Sequence, residues 1–489
     1  MAKPAWWSVA ALGAVAVTVG PAATGRQPTT YSAISASDKA QGAKAHPALV
    51  QEYGGAYQGP QVAYVTAVAR KVAVQSGLSN AAGDFTVTLL NSPVNNAFAI
   101  PGGYIYITRQ LMALANDEAE MAGVLGHEIG HVAARHSQRR QQASQRNAIG
   151  GLLLQVLTGA VVGDSALGGM LQKGIGQGSQ LLTLRFSRTQ EYEADDLGIR
   201  YLAKAGYDPS AMASMLASLA AQSALDQQAA GDARSVPEWA STHPDPQARV
   251  ARAAQRARET KSTNTLVNRD AFLNAVNGLL YGDDPKQGVI SGRSFLHPDL
   301  KLAFTAPGGF GMENGAQAVS IAGSGGQAQF SGARYSGDLQ AYVQSVFGGL
   351  SEKGVGQIDA IRRTTVNGLP AGWLTLRANT GSQQVDITVF AYEFGPGTAY
   401  HFLLVTPAGQ GIGPFSDMVG SLRRLNGDEA AKIRPRRVSV VTVRSGDTIA
   451  SLSARMAYPE LKTERFLTLN GLSAEDTLRP GERMKLIVE

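Results

Sequence analysis

The sequence predicts an α+β protein of several domains: a mainly helical domain with a small sheet, a second α+β domain, and a small β-α-α-β module at the C-terminus. Three observations predict this. A chain of 489 residues, 44% hydrophobic, has the material for about two to four globular cores. Apolar residues recur at helical spacing in the first half, whereas residues 285–426 are dominated by short β-prone runs. The last stretch, 438–489, reads strand, turn, two short helices, turn, strand.

Taken in order, residues 1–25 have the layout of a secretory signal. Lys3 precedes an apolar run from Ala5 to Val19, and small residues follow, with cleavage expected between Ala22 and Gly25. The run is short of the roughly 20 apolar residues of a membrane span, so export to a bacterial periplasm is the expectation. Residues 26–45 are polar and small, a flexible lead. A helical domain is expected over 46–265. Val62, Val65, Val68, Ala69 and Val72 mark a helix in 60–76, and Phe85, Val87 and Leu89 mark one face of a strand. Pro101-Gly102-Gly103 then precedes the β-prone Tyr104 to Ile107. This run is expected to be an edge strand, with Gly103, Tyr104, Ile105 and Tyr106 offering free backbone groups to an added, extended peptide.

Residues 127–131 read His-Glu-Ile-Gly-His. Asp117, Glu118 and Glu120 resemble a capped helix start, and Met121, Val124, Leu125, Ile129 and Val132 continue at helical spacing. Histidines four apart on a helix share a face, so both imidazoles can reach one metal ion while Glu128 poises a water. The bland reading is a buried helix with two core histidines, which is costly without partners. Glu191 and Asp195 form a second pair four apart. One carboxylate can bind the metal while the other accepts the free N–H of a metal-bound histidine.

NSPVNNAFAIPGGYIYITRQLM (91–112), LGHEIGHVAARHS (125–137), SRTQEYEADDLG (187–198) and STHPDPQARV (241–250) occur in this order. Together they resemble the gluzincin metallopeptidase family that includes the CAAX prenyl proteases, HtpX and BepA, and the soluble BepA-like branch fits best. The resemblance covers residues 45–260 and implies a zincin-like catalytic domain with one Zn2+ per chain. It assigns His127, His131 and Glu191 as ligands, with Asp195 orienting His127 and Glu128 as the general base that activates a zinc-bound water. It also implies that His243 caps the zinc or faces the oxyanion, and that Arg249 steadies the substrate or the tetrahedral intermediate. Glu193 is not an expected ligand.

Residues 149–184 are apolar and glycine-containing, and are read as a mobile cover of the site or a peripheral membrane contact. Helices are expected at Ala211 to Leu225 and Pro246 to Glu259. In the second domain, 285–426, six strands and two helices are expected and no catalytic constellation. His297 and His401 read there as structural. Residues 427–437 read as a basic linker. The C-terminal VTVRSGDTIASLSARM, FLTLNGL and LRPGERMKLIV resemble a LysM module. That likeness implies a shallow groove for peptidoglycan-type glycans lined by Gly446, Asp447, Thr448, Asn470 and Leu472, although Tyr458-Pro459-Glu460 departs from the simplest pattern.

The absence of cysteine excludes thiolate metal sites and disulfides, and a net charge of +6 with scattered arginine clusters carries no nucleic-acid motif. Two functions follow. One is a periplasmic zinc endopeptidase acting on unfolded or misassembled envelope polypeptides. The other is a peptidoglycan-tethered chaperone or scaffold whose zinc site is latent or structural.

Overall fold

Short-range signals nucleate the elements that carry the site. In the computed structural model, which describes residues 33–140, 186–230, 239, 242–315, 318–350, 358–379 and 384–489, helix α1 spans Ala36–Glu52 and begins in a Ser35/Asp38 capping box. The expected flexible lead is therefore helical from Ala36 onward, because this cap and the packing of Leu49 and Tyr53 against Phe98, Ile100 and Tyr106 fix it. The signal segment and the apolar 149–184 stretch lie outside the described residues. Among those described, no helix is long and apolar enough to cross a membrane.

Helix α2 (Gln61–Ala73) leads to strand β1 (Thr86–Leu90), then β2 (Ala97–Ile100) and β3 (Tyr104–Thr108). The sheet order is β1-β3-β2, with β3 parallel to β1 and antiparallel to β2. This corrects the edge-strand expectation. Tyr104, Ile105 and Tyr106 lie in the middle strand with both edges paired, and Gly103 lies in the preceding turn at φ +86°. Among the described residues β2 is an outer strand of this sheet. Thr108 N–H donates to the Asn96 carbonyl, and bonded pairs alternate along an antiparallel ladder. Phe98 and Ile100 therefore bond to β3, while Ala97 and Ala99 turn their N–H and C=O groups outward.

Helices α3 (Arg109–Leu114) and α4 (Glu118–Ala133) follow, α4 capped by the Asp117 carboxylate on Glu120 N–H. Almost all of α4 is buried, an unusual place for two histidines and three glutamates. Helix α5 (Arg188–Lys204) lies against it, and the contact requires small residues. A Cβ on Gly126 would sit 3.3 Å from the Gly198 Cα, and one on Gly198 only 3.0 Å from the His127 backbone nitrogen. Helices α6 (Ala211–Ala230), α7 (Pro246–Glu259) and α8 (Arg269–Val276) complete the layer.

The second region is a two-sheet sandwich. Strands β4 (Leu280–Tyr281), β5 (Val289–Ser291), β6 (Ser294–His297), β7 (Leu302–Thr305), β8 (Gly311–Asn314), β9 (Val319–Gly323) and β10 (Gly326–Arg334) precede helix α9 (Leu339–Gly349). Strands β11 (Arg362–Val366), β12 (Leu369–Asn379), β13 (Gln384–Gly395) and β14 (Thr398–Pro407), helix α10 (Ser416–Ser421) and β15 (Arg423–Arg424) follow. The seven-stranded sheet β11-β12-β13-β14-β10-β9-β8 meets the smaller sheet β15-β7-β6-β5 through Phe295, Phe304, Phe330, Phe402 and Phe415. Tyr342, Val343 and Phe347 of α9 cover the other face of the large sheet. His401 accepts or donates to Tyr342 Oη at 2.9 Å within this core, a packing role.

The C-terminal module is not on a free tether. Helix α11 (Gly427–Ala431) and strand β16 (Arg436–Thr442) occupy the expected linker, and β16 pairs with β4 as well as with β17 (Arg483–Val488). Between them lie α12 (Ile449–Ser453) and α13 (Lys462–Asn470). The departure at Tyr458 has a reason. Its ring lies between the Arg436 and Arg465 guanidinium groups, at 4.7 and 4.3 Å, and fastens the module to the β4 side. Asn470 is not free to line a groove. It is buried, donating to the Phe466 and Lys485 carbonyls and accepting from Lys485 N–H. Gly446, Asp447 and Thr448 form an accessible loop, with Leu472 half-buried.

Lys485 joins the module to the helical domain. Its fully buried ammonium donates to the carbonyls of Ala113, Leu114 and Ala115 at 2.8, 3.2 and 2.6 Å, where the chain turns from α3 into α4. Burial lowers its pKa, and the Glu120 carboxylate opposes that shift. Replacing Lys485 with Met leaves three carbonyls without their donor, so Lys485→Met is expected to cost about 3 kcal/mol. Urea unfolding of the full chain measures this directly.

Candidate metal centre

The site assembles from α4, α5 and the segment leading into α7. Helix α4 supplies His127, Glu128 and His131, α5 supplies Glu191 and Asp195, and His243 lies just before α7. All six side chains are almost completely buried. One donor atom from each of His127, His131, Glu191 and His243 falls within a common radius, no two more than 4.8 Å apart. His127 Nε2 lies 3.0 Å from His131 Nε2 and 3.6 Å from Glu191 Oε2. His243 Nδ1 lies 3.2 Å from Glu191 Oε1 and 3.4 Å from His127 Nε2.

The protons decide what such a cluster fits. His127 Nδ1 lies 2.9 Å from the Asp195 carboxylate, which can only accept, so the hydrogen of neutral His127 is on Nδ1. His131 turns its own Nδ1 to another acceptor, the imidazole of His136, at 2.8 Å. Both Nε2 lone pairs then point at each other across 3.0 Å. That arrangement is repulsive unless a cation lies between them. Three imidazoles and one carboxylate are a donor set suited to Zn2+. The residues therefore fit the metal that the resemblance implies.

Electrostatics favour the same state. Burial lowers the pKa of His127 and, more strongly, that of His131, keeping both imidazoles neutral. Burial pushes the Asp195 carboxyl up, but the Arg249 guanidinium and His127 more than offset it and hold the acid ionised. Glu191 is likewise held low by His243 and Arg249 against its burial. Glu128 differs: burial dominates and lifts it to about 8, and its Oε1 accepts no hydrogen bond. His243 Nε2 is 3.5 Å from that oxygen.

Arg249 does not face a cleft, contrary to expectation. Its guanidinium is committed to Asp195, with Nε at 2.9 Å and Nη2 on the second oxygen, and to Glu191 through Nη1. Two ionised carboxylates side by side in a dry interior require such a cation, and α7 delivers it from behind the donors. Three aromatic or imidazole groups had no role assigned from sequence. Phe186 stacks on His131 at 3.9 Å, Trp239 stacks on His243 at 4.2 Å, and His136 meets His131. The third histidine, five residues after His131, was the visible signal for the last of these.

A cleft of about 210 Å3 opens on the site. Its walls include Asp38 and Gly42 of α1, Phe98 and Ala99 of β2, and Glu128 and His243. The outer strand β2 and the Glu128 carboxyl thus line one cavity.

Residues 60–257 match the model of Peptidase family M48, and residues 441–486 match the LysM domain. The first segment is an M48 metallopeptidase domain. The beta-barrel assembly-enhancing protease of Yersinia pestis is 33% identical over 207 residues, covering 41% of this chain and 40% of that protein. The protein of the same name from Escherichia coli (strain K12) is 33% identical over 223 residues, covering 44% and 42%. Metalloprotease LoiP of the same strain is 34% identical over 126 residues, covering 26% and 47%. The chain spans about two fifths of the length of the first two relatives.

Removing Arg249 leaves Glu191 and Asp195 as adjacent buried charges. Arg249→Met is expected to destabilise the metal-free protein by about 3–5 kcal/mol. Denaturant unfolding with a chelator present measures it, and added zinc should recover part of the loss.

Proposed function

We propose that the chain is a zinc endopeptidase of the bacterial cell envelope that cleaves extended segments of unfolded or misassembled polypeptides. One observation carries this reading: the Glu128 carboxyl is buried, with an oxygen that accepts no hydrogen bond, and lines the same cavity as Ala99 of the outer strand β2. A structural metal site has no use for such a base.

His127, His131 and Glu191 would hold the metal, with Asp195 fixing His127. When bound, the metal supplies Lewis-acid polarisation of the scissile carbonyl and lowers the pKa of water. The protein residues do the rest. An extended substrate adds to β2 through the main-chain groups of the partly exposed Ala99, which gives affinity with little side-chain selection. Glu128 removes the proton from the attacking water and returns it to the departing amine. Arg249 keeps Glu191 and Asp195 ionised. Dependence on backbone pairing restricts substrates to chains that can present an unpaired strand, as unfolded proteins do. The names of the assembly-enhancing relatives suggest β-barrel polypeptides as one such class. The LysM module would hold the enzyme at peptidoglycan through the Gly446–Thr448 loop, consistent with periplasmic export.

A second reading rests on His243. Its Nδ1 lies among the donor atoms, so it is able to occupy the position that a water needs. The resting enzyme is then latent, and in the extreme case the chain is a tethered chaperone or scaffold.

Digestion of an unfolded protein such as casein by the full chain tests these readings. Glu128→Gln should lower cleavage by about 10²–10⁴-fold while one zinc per chain is retained. His243→Ala should raise cleavage if the side chain closes the site. Ala99→Pro removes an outward N–H from an edge strand, where proline is tolerated, and should raise KM with little change in fold. Undiminished cleavage by Glu128→Gln would sink the mechanism.

A further inference from the structure

We infer that His136 and Glu193 form a positioning chain for His131, running from the metal centre to the protein surface. The inference rests on the reading of His127, His131 and Glu191 as metal ligands and adds residues to which no role is otherwise given.

Backbone geometry brings the chain together. Helix α4 ends at Ala133, and Arg135 adopts a left-handed conformation at φ +53°, which is uncommon for a residue with a Cβ. That turn swings His136 back under the helix, where it is completely buried. Its Nδ1 meets His131 Nδ1 at 2.8 Å, and its Nε2 meets Glu193 Oε2 at 3.2 Å. Arg139 Nη1 donates to the same Glu193 oxygen at 2.9 Å. The Gln190 side chain donates to the His136 carbonyl at 3.2 Å, fixing the segment to α5.

With a metal ion taking both Nε2 lone pairs, one order of protons serves the contacts of neutral His131 and His136. His131 directs Nε2 at the donor cluster, so its hydrogen is on Nδ1 and is donated to His136 Nδ1. His136 then carries its own hydrogen on Nε2 and donates it to the Glu193 carboxylate. The result is carboxylate–imidazole–imidazole, with every hydrogen bond polarised toward the metal ligand. The two histidines of α4 are thus supported differently. Asp195 contacts His127 directly, whereas Glu193 reaches His131 through one intervening ring. Both arrangements fix the tautomer and make the facing Nε2 a better donor. His127 and its carboxylate are sealed in the interior. The His131 chain ends at Glu193 and Arg139, whose side chains are 26% and 52% exposed. Phe186 against the face of His131 leaves the ring little freedom to turn if the chain is cut.

A merely structural His136 would tie residues 134–140 to α5 without affecting the metal. Zinc affinity of the full-length protein, measured by competition with a chromophoric chelator at fixed pH, separates the two. The visible absorption of the cobalt-substituted protein provides a second readout. His136→Phe keeps the ring volume and removes both bonds, and it should weaken zinc about 10–100-fold and shift the cobalt bands. His136→Asn can still accept from His131 through Oδ1 and should recover part of the affinity. Glu193→Gln, at the exposed end, should weaken zinc by a smaller factor without altering the thermal midpoint of the metal-free protein. Wild-type affinity and an unchanged cobalt spectrum in His136→Phe, or in Glu193→Gln should the first variant fail to fold, overturn the chain. Failure of the wild type to bind zinc, or binding that survives loss of Glu191, instead overturns the site reading beneath it.

Discussion

Two imidazole nitrogens held 3.0 Å apart with their lone pairs converging are the constraint on which the rest of this structure depends. The protein must force them together, keep both neutral and prevent either ring from turning. Burial within α4 meets the first two requirements. Asp195 on one side and the His136 ring on the other meet the third. The carboxylates needed for this are themselves charged and dry, so a further layer exists to neutralise them. Arg249 is that layer. A guanidinium that bridges Glu191 and Asp195 presents a rigid fork, which a lysine could not offer.

The same constraint explains the packing. Helices α4 and α5 must come close enough for Glu191 and Asp195 to reach the histidines, and Gly126, Gly130, Ala194 and Gly198 occupy the contact. The sandwich and the C-terminal module make no contribution to the donor set. They bear on the site through its supports. Lys485 holds the α3–α4 turn, which sets where the helix carrying His127 and His131 begins. The module and the cleft are consequently carried on one framework.

Much of this was legible in the sequence. Period 3.6 in Met121, Val124, Leu125, Ile129 and Val132 located α4, and two acidic-histidine spacings named the residues that the fold gathers. The missed features share a cause: each depends on what lies across from a residue, which spacing does not encode. Tyr104 to Ile107 is the most β-prone run and so drew the edge assignment, yet its hydrophobicity reflects a central strand paired on both sides. Ala97 to Ile100 was given no strand of its own, although Ala-Phe-Ala-Ile before Pro-Gly-Gly is a hairpin signal. Arg249 was placed facing substrate because its partners, 54 and 58 residues away, could not be read from the chain. The arginines of 427–437 suggested a solvated linker, whereas Arg436 stacks on Tyr458 and begins a strand.

X-ray absorption at the zinc edge, on full-length protein loaded with one equivalent of Zn2+, addresses the centre most directly. A shell of about four nitrogen and oxygen donors near 2.0–2.1 Å, with the outer-shell scattering of at least two imidazoles, is the predicted result. An oxygen-only shell without imidazole scattering would contradict the account, because it would place the metal away from His127 and His131.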